Sequence, residues 1–382
     1  MTGGKEAKHS RIVSAAIITG SVVAVIVAIE ILARTAFPVT DFPPGADVFA
    51  NPEVVRYDGP VFWRFKPKVT AFDRRQKLSY SINSIGFRSH ENIIESRLFQ
   101  GVRIIAAGDS CVFGLGSKWG FDIELQIGLD EKAGRKTFEV INMGVPGYSS
   151  EQVKQQLRAV LPRYKPDVLL LSVGWDDATP ALDGVSGDFD LWLRGQRIAP
   201  QARAFLATMG MARMFHLGRT SSGASVLGAE DHEEWRTLLS SSCSAVLDGV
   251  EDQLGPLIDS QPALRLRVPV DRYAANLTEI HQLCVLEGTR LVFVPVSVPL
   301  PYVQVMRDLQ QKLDIPLVET EDALYSDFRR HVMSGPNEPR GPSDMRRSPK
   351  VFTDGRHPTI LGHQVIGRIL RHRLREERLI GL

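Results

Sequence analysis

Apolar and polar positions fall into three regimes along the chain. The first is a continuous apolar run from Ile12 to Leu32, "IVSAAIITGSVVAVIVAIEIL", broken by charge only at Glu30. It has about the length a helix needs to cross a bilayer. The second runs from Phe37 to about Glu95. Phe37–Gly59 is rich in Pro, Gly and Asp and reads as a linker. Tyr57–Glu95 holds strand-like pieces such as "KLSYSINSIGFR", a small β-rich preface. The third begins at Arg103, where short apolar runs alternate with amphipathic ones.

In that third regime "RIIAAG" (Arg103–Gly108), "FEVINMG" (Phe138–Gly144), "DVLLLSVG" (Asp167–Gly174), "RLVFVPV" (Arg290–Val296) and the shorter "PLVET" (Pro316–Thr320) read as strands. Their unbroken apolar character is that of strands buried on both faces. Between them, Glu151–Leu161 places Val153, Leu157 and Val160 or Leu161 on one helical face. Asp271–Leu286 does the same with Tyr273, Leu277, Ile280 and Leu283 or Cys284. Strands alternating with helices predict an α/β domain: three layers, α/β/α, around a mostly parallel five-stranded sheet. Functional groups of such sheets gather beyond the carboxyl ends of the strands. Two stretches break the alternation: an insertion over 178–266, and the loop "MSGPNEPRGPSDMRRSPK" (Met333–Lys350), long enough to be functional.

The flanking charges orient the first regime. Lys5, Lys8 and Arg11 precede the run and only Arg34 follows closely. This bias predicts a cytoplasmic tail (1–11), an uncleaved transmembrane signal anchor (12–32), a linker and preface (33–100), and an extracytoplasmic domain (101–382). The competing reading is a cleaved signal peptide, but the run is long for one and no A-x-A site follows. The 46 basic residues nearly balance 44 acidic ones, a net charge of +2, which excludes a nucleic-acid binder on electrostatic grounds. Three cysteines, Cys111, Cys243 and Cys284, leave room for one disulfide, Cys243–Cys284, and no complete framework. No metal-ligand spacing occurs, and no cofactor is expected.

The candidate chemistry lies at the strand ends. The first strand ends in Gly108-Asp109-Ser110, the second runs into "NMGVPGYSS", the third into "GWDD", and "FTDGRHPTILGH" near the C-terminus places Asp354 three residues before His357. A serine hydroxyl is a weak nucleophile until a base takes its proton, and a carboxylate fixes that base's tautomer. Asp354 and His357 can face one pocket from a single turn. Ser110 could instead cap a helix, Asp354 could be a turn residue, and His363 reads as a core residue.

These motifs resemble those of the SGNH, or GDSL-type, hydrolases. Gly108-Asp109-Ser110 with Gly114 matches the GDS signature, Gly147 the glycine motif, Gly174–Asp177 the G-x-N-D motif, and Asp354 with His357 the D-x-x-H motif. "YSINSIGFRS" resembles a preface of exported, membrane-anchored members, some tied to polysaccharide modification. The resemblance implies a flavodoxin-like sheet, Ser110 as nucleophile, His357 as base and Asp354 as its orienting acid. It implies an oxyanion hole from the Ser110 and Gly147 N–H groups and a side chain at position 176. There the chain departs from the pattern: Asp176 stands where an amide is expected, and an ionised carboxylate would repel an oxyanion. One lost donor costs about 2.7–4 kcal/mol. A protonated Asp176, a donor from substrate or partner, or a slow or inactive site would each accommodate it.

The expectation is a membrane-anchored serine esterase or O-acyltransferase using an acyl-serine intermediate. Acyl, chiefly acetyl, esters of envelope or secreted polysaccharide are its substrate class, and a membrane acyl donor is a further candidate partner. The alternative is a degenerate module that binds glycan or a membrane partner without turnover.

Overall fold

The computed structural model describes residues 17–29, 31–32, 49, 53–58, 60–73, 76–89, 101–133, 138–179, 188, 266–331, 341, 345 and 348–380. They divide into two units, one holding residues 17–29 and 31–32 and the other the rest. In the first, residues 17–29 and 31–32 are helical, and their apolar side chains are exposed, Ile17 at 64%, Val25 at 57% and Leu32 at 66%. No helix among the described residues is long and apolar enough to cross a membrane.

In the second unit, two hairpins come first. Strands β1 (Val55–Asp58) and β2 (Phe62–Phe65) pair antiparallel, as do β3 (Thr70–Asp73) and β4 (Leu78–Ser81). These four-residue ribbons are too small to stand alone. They bury Trp63, Phe65 and Tyr80 against Phe113 and Tyr148 of the main domain.

The main domain is α/β. A parallel sheet of four strands has the order β6-β5-β7-β8, with β5 Val102–Gly108, β6 Phe138–Gly144, β7 Val168–Ser172 and β8 Arg290–Phe293. This corrects the expected five strands. "PLVET" contributes one parallel bridge, Phe293 to Leu317. Pro316 has no N–H to extend the ladder, and Thr320 already opens the next helix.

Alternate residues of β5 face opposite layers. Ile105 and Ala107 pack in one core with α3 (Ser150–Tyr164), α4 (Val270–Glu287) and α5 (Leu300–Leu313). Ile104 and Ala106 pack in the other with α2 (Phe121–Ala133), α6 (Thr320–His331) and α7 (Ile360–Glu376). The chain steps from β5 to β6 on one side and then to β7 on the other. The end of β5 is therefore the point where strand order reverses, where such sheets open a crevice.

The insertion (178–266) and the Met333–Lys350 loop lie almost wholly outside the described residues, as does Cys243. Cys284 is a buried free thiol. His363 is fully buried beside Phe121, with neither ring nitrogen partnered among the described residues, and burial pushes its imidazole down to about 3. It is a core residue.

Candidate active site

Beyond Gly108 the chain turns into a one-turn helix, α1 (Ser110–Phe113). The turn is tight: a Cβ on Gly108 would lie 2.0 Å from the Ser172 carbonyl oxygen, so only glycine lets β5 end here against β7. Asp109, not Ser110, caps the helix, its Oδ1 accepting from the Cys111 N–H at 2.8 Å. The cap thus leaves the Ser110 hydroxyl free. Arg88, from the preface, donates to the carbonyls of Phe113, Gly114, Ser117 and Lys118, and so clamps the far end of α1. Asn83 shapes the "SINSIGFR" turn that delivers Arg88, accepting from the N–H groups of Ile85 and Phe87.

The "TDGRH" turn closes with the Thr353 N–H donating to the His357 carbonyl at 2.9 Å. Asp354 Oδ1 accepts from the N–H groups of Arg356 (3.1 Å) and His357 (2.8 Å). Its Oδ2 lies 2.6 Å from His357 Nδ1. Burial pushes the Asp354 carboxyl up, but the hydrogen bonds from His357 and Arg356 win and hold it well below the usual carboxylate range. It is therefore acceptor-only, which places the imidazole proton on Nδ1 and leaves Nε2 to accept. Nε2 lies 2.9 Å from Ser110 Oγ. The structure thus joins Ser110, His357 and Asp354 in one chain of hydrogen bonds, and the arrangement can take the Ser110 proton.

Gly147 follows β6 with φ +79°, a backbone that other residues adopt only with strain. Its carbonyl accepts from Arg267 Nη1 at 2.8 Å. The N–H groups of Ser110 and Gly147 donate no hydrogen bond among the described residues.

Asp176 follows β7 and is buried, but it does not stand alone. Arg356, between Asp354 and His357, places Nη2 2.7 Å from Asp176 Oδ2 and 3.5 Å from Asp109 Oδ2. Its guanidinium carbon lies 4.9 Å from the Trp175 ring centroid. Burial pushes Asp109 up to about 6 against the pull of Arg356, and Asp176 adds to the rise. Burial would lower the Arg356 pKa, but Asp176 and Asp109 raise it further above its ordinary value. Cys111, beside the serine, is buried with its thiol pushed well up by burial, and its Sγ reaches the Arg356 carbonyl at 3.5 Å.

Sequence reasoning named Ser110, His357, Asp354, Gly147 and Asp176 and missed Arg356, Arg267 and Asp188. Arg356 was open to discovery: a buried carboxylate at position 176 needs a cation, and an arginine stands inside the D-x-x-H motif. No group of three His, Cys, Asp or Glu among the described residues could hold a metal.

No protein-family model matches the chain, and no curated protein matches it. Solved structures similar to it include a lipase/acylhydrolase from Enterococcus faecalis, at 14% identity and a TM-score of 0.38, covering 72% of this chain and 96% of that one. A catalytic mutant of an acetylxylan esterase from Geobacillus stearothermophilus is 13% identical with a TM-score of 0.40, covering 74% and 96%. A GDSL-like lipase from Bacteroides thetaiotaomicron is 11% identical with a TM-score of 0.34, covering 74% and 94%. At such distance the site stands on its own distances.

Proposed function

We propose that the protein is a serine esterase or O-acyltransferase of SGNH type. The observation that carries this reading is the Ser110–His357–Asp354 chain, with contacts of 2.9 and 2.6 Å, at the point of strand reversal. Ser110 Oγ bonds to the ester carbonyl carbon as its proton passes to His357 Nε2. The carbonyl π pair moves onto oxygen, facing the free N–H groups of Ser110 and Gly147. Collapse breaks the bond to the leaving alcohol, which takes the proton from His357 and leaves an acyl-serine. Water or a sugar hydroxyl then attacks the acyl carbon, gives its proton to His357, and releases Ser110 with a carboxylic acid or a new ester.

The N-terminal segment supports a membrane anchor. A helix whose apolar side chains are exposed all round is poorly matched to water and well matched to hydrocarbon. With the charge bias ahead of it, this reading puts the catalytic domain outside the cytoplasm. Envelope or secreted polysaccharide esters, chiefly acetyl, are then the substrate class that the motif resemblance favours.

The test uses the full chain in detergent micelles, with p-nitrophenyl acetate hydrolysis and fluorophosphonate labelling as readouts. Ser110→Ala is expected to lower kcat by about 10^4-fold or more and to abolish labelling. Equal rates and equal labelling of parent and variant would sink the enzyme reading and leave the glycan- or partner-binding module.

A further inference from the structure

We propose that Arg356 donates the third hydrogen bond to the oxyanion, and that Asp176 is the positioning residue that aims it. The proposal rests on the serine-esterase reading. It replaces the side-chain amide that the motif resemblance leads one to expect at position 176 with an arginine–carboxylate pair drawn from two distant parts of the chain.

Arg356 is held at several points. Its N–H donates to Asp354 at 3.1 Å, and its carbonyl accepts from Ser297 Oγ at 2.7 Å. Its guanidinium stacks over Trp175, and Nη2 engages Asp176. These contacts span the ends of β5, β7 and β8, with the triad histidine as the next residue. Yet Nε is buried with no partner, and Nη1 donates to no acceptor among the described residues. Guanidinium carries five N–H donors, and leaving buried ones unpaired costs free energy. A rigid cation with spare donors, one residue from the base and in contact with the residue before the nucleophile, matches an anion that forms only during turnover.

The pair also removes the objection to Asp176. An ionised carboxylate alone would repel the oxyanion, but here its charge is matched by Arg356. Asp109, the second carboxylate within reach, lies 3.5 Å from the same Nη2. The oxyanion then meets a charge-assisted donor, about twice as strong as a neutral amide. Arg356 transfers no proton. The C=O pair moves onto oxygen at attack and returns at collapse, and the guanidinium stays charged throughout.

The test again uses the full chain in micelles. Arg356→Ala is expected to lower kcat about 100- to 1000-fold with KM nearly unchanged, and millimolar guanidinium chloride should restore part of that loss. Arg356→Lys keeps the cation beside Asp176 but loses the fork. It should melt like the parent and fall between parent and Arg356→Ala in kcat, so it decides the matter if the alanine variant misfolds. Asp176→Asn is expected to lower kcat, because Arg356 loses its anchor. A parent-like kcat in Arg356→Lys, absence of guanidinium rescue in a folded Arg356→Ala, or a faster Asp176→Asn would overturn the proposal while the esterase reading stands. If the parent itself turns over no faster than Ser110→Ala, the esterase reading fails, and the proposal with it.

Discussion

Two arginines serve the loops around the candidate site, Arg267 fully buried and Arg356 partly so, and they are used differently. Arg267 is 1% exposed, and each of its guanidinium nitrogens is engaged. Nε and Nη2 bind Asp188, Nη1 donates to the Gly147 carbonyl, and Nη2 also reaches Gln152. Asp188 in turn accepts from Ser149 Oγ at 2.6 Å. Arg356 also pairs with a buried aspartate, but only Nη2 has an acceptor. A saturated guanidinium is scaffold: it ties the two stems of the insertion to the turn that carries Gly147. An unsaturated one is held in place for a partner that arrives later. The same residue pair thus separates structure from chemistry by how many donors it leaves over.

The sharpest break of this contrast is in stability. Removing one partner of a buried, hydrogen-bonded ion pair typically costs about 3–5 kcal/mol. Arg267→Leu leaves Asp188 without its cation and the Gly147 carbonyl without its donor, so the full loss of about 3–5 kcal/mol is expected in urea unfolding of the detergent-solubilised protein. Arg356→Leu removes one strong contact and should lose less stability and more activity. Equal stability losses would show that both arginines are scaffold. A smaller effect is expected of Ser149→Ala, which removes one hydrogen bond to a charged carboxylate, about 1.5–3 kcal/mol. A loss as large as that of Arg267→Leu would mean that Ser149, and not the arginine, carries the turn.

The contrast also marks what was legible in the sequence. The strands of the sheet were, because residues buried on both faces must be apolar without a break. The meeting of Ser110, His357 and Asp354 was, because each stands at a strand end or a tight turn, although Ser110 and His357 lie 247 residues apart. The fifth strand was misread because its apolar character outweighed Pro316, which opens the string and has no N–H to extend the ladder. Asp176 was read as a departure whose partner stayed unassigned, because that partner is 180 residues away and charge pairing of that kind leaves no local pattern. Arg267 and Asp188 were invisible for the same reason: they meet 79 residues apart, across an insertion of helical pieces and loops that breaks the strand–helix alternation. Arg88 sat in a motif noted for its resemblance, with nothing local to show that it would clamp the helix of Ser110.

The last contrast concerns a carboxylate with no ion pair to either arginine. Asp177 is fully buried and forms no ion pair among the described residues. Its carboxylate oxygens accept from the Ser150 N–H at 3.0 Å and contact the Ser150 hydroxyl. Burial pushes it up to about 8, with the Ser150 hydrogen bonds opposing. Unfolded, the same carboxyl ionises near 3.9. Below about pH 4 it is protonated in both states and does not affect stability's pH dependence. Between about 4 and 8 the unfolded chain releases a proton that the folded chain keeps, so stability falls as pH rises through that window and levels off above it. Asp177→Asn is neutral throughout, and its carbonyl can still accept from the Ser150 N–H. Thermal melts of parent and Asp177→Asn at pH 5, 7 and 9 should therefore diverge, the parent losing Tm with rising pH relative to the variant. Parallel curves would mean that Asp177 is ionised in the folded protein, with Arg267 compensating it through space, and that the scaffold arginine serves two carboxylates rather than one.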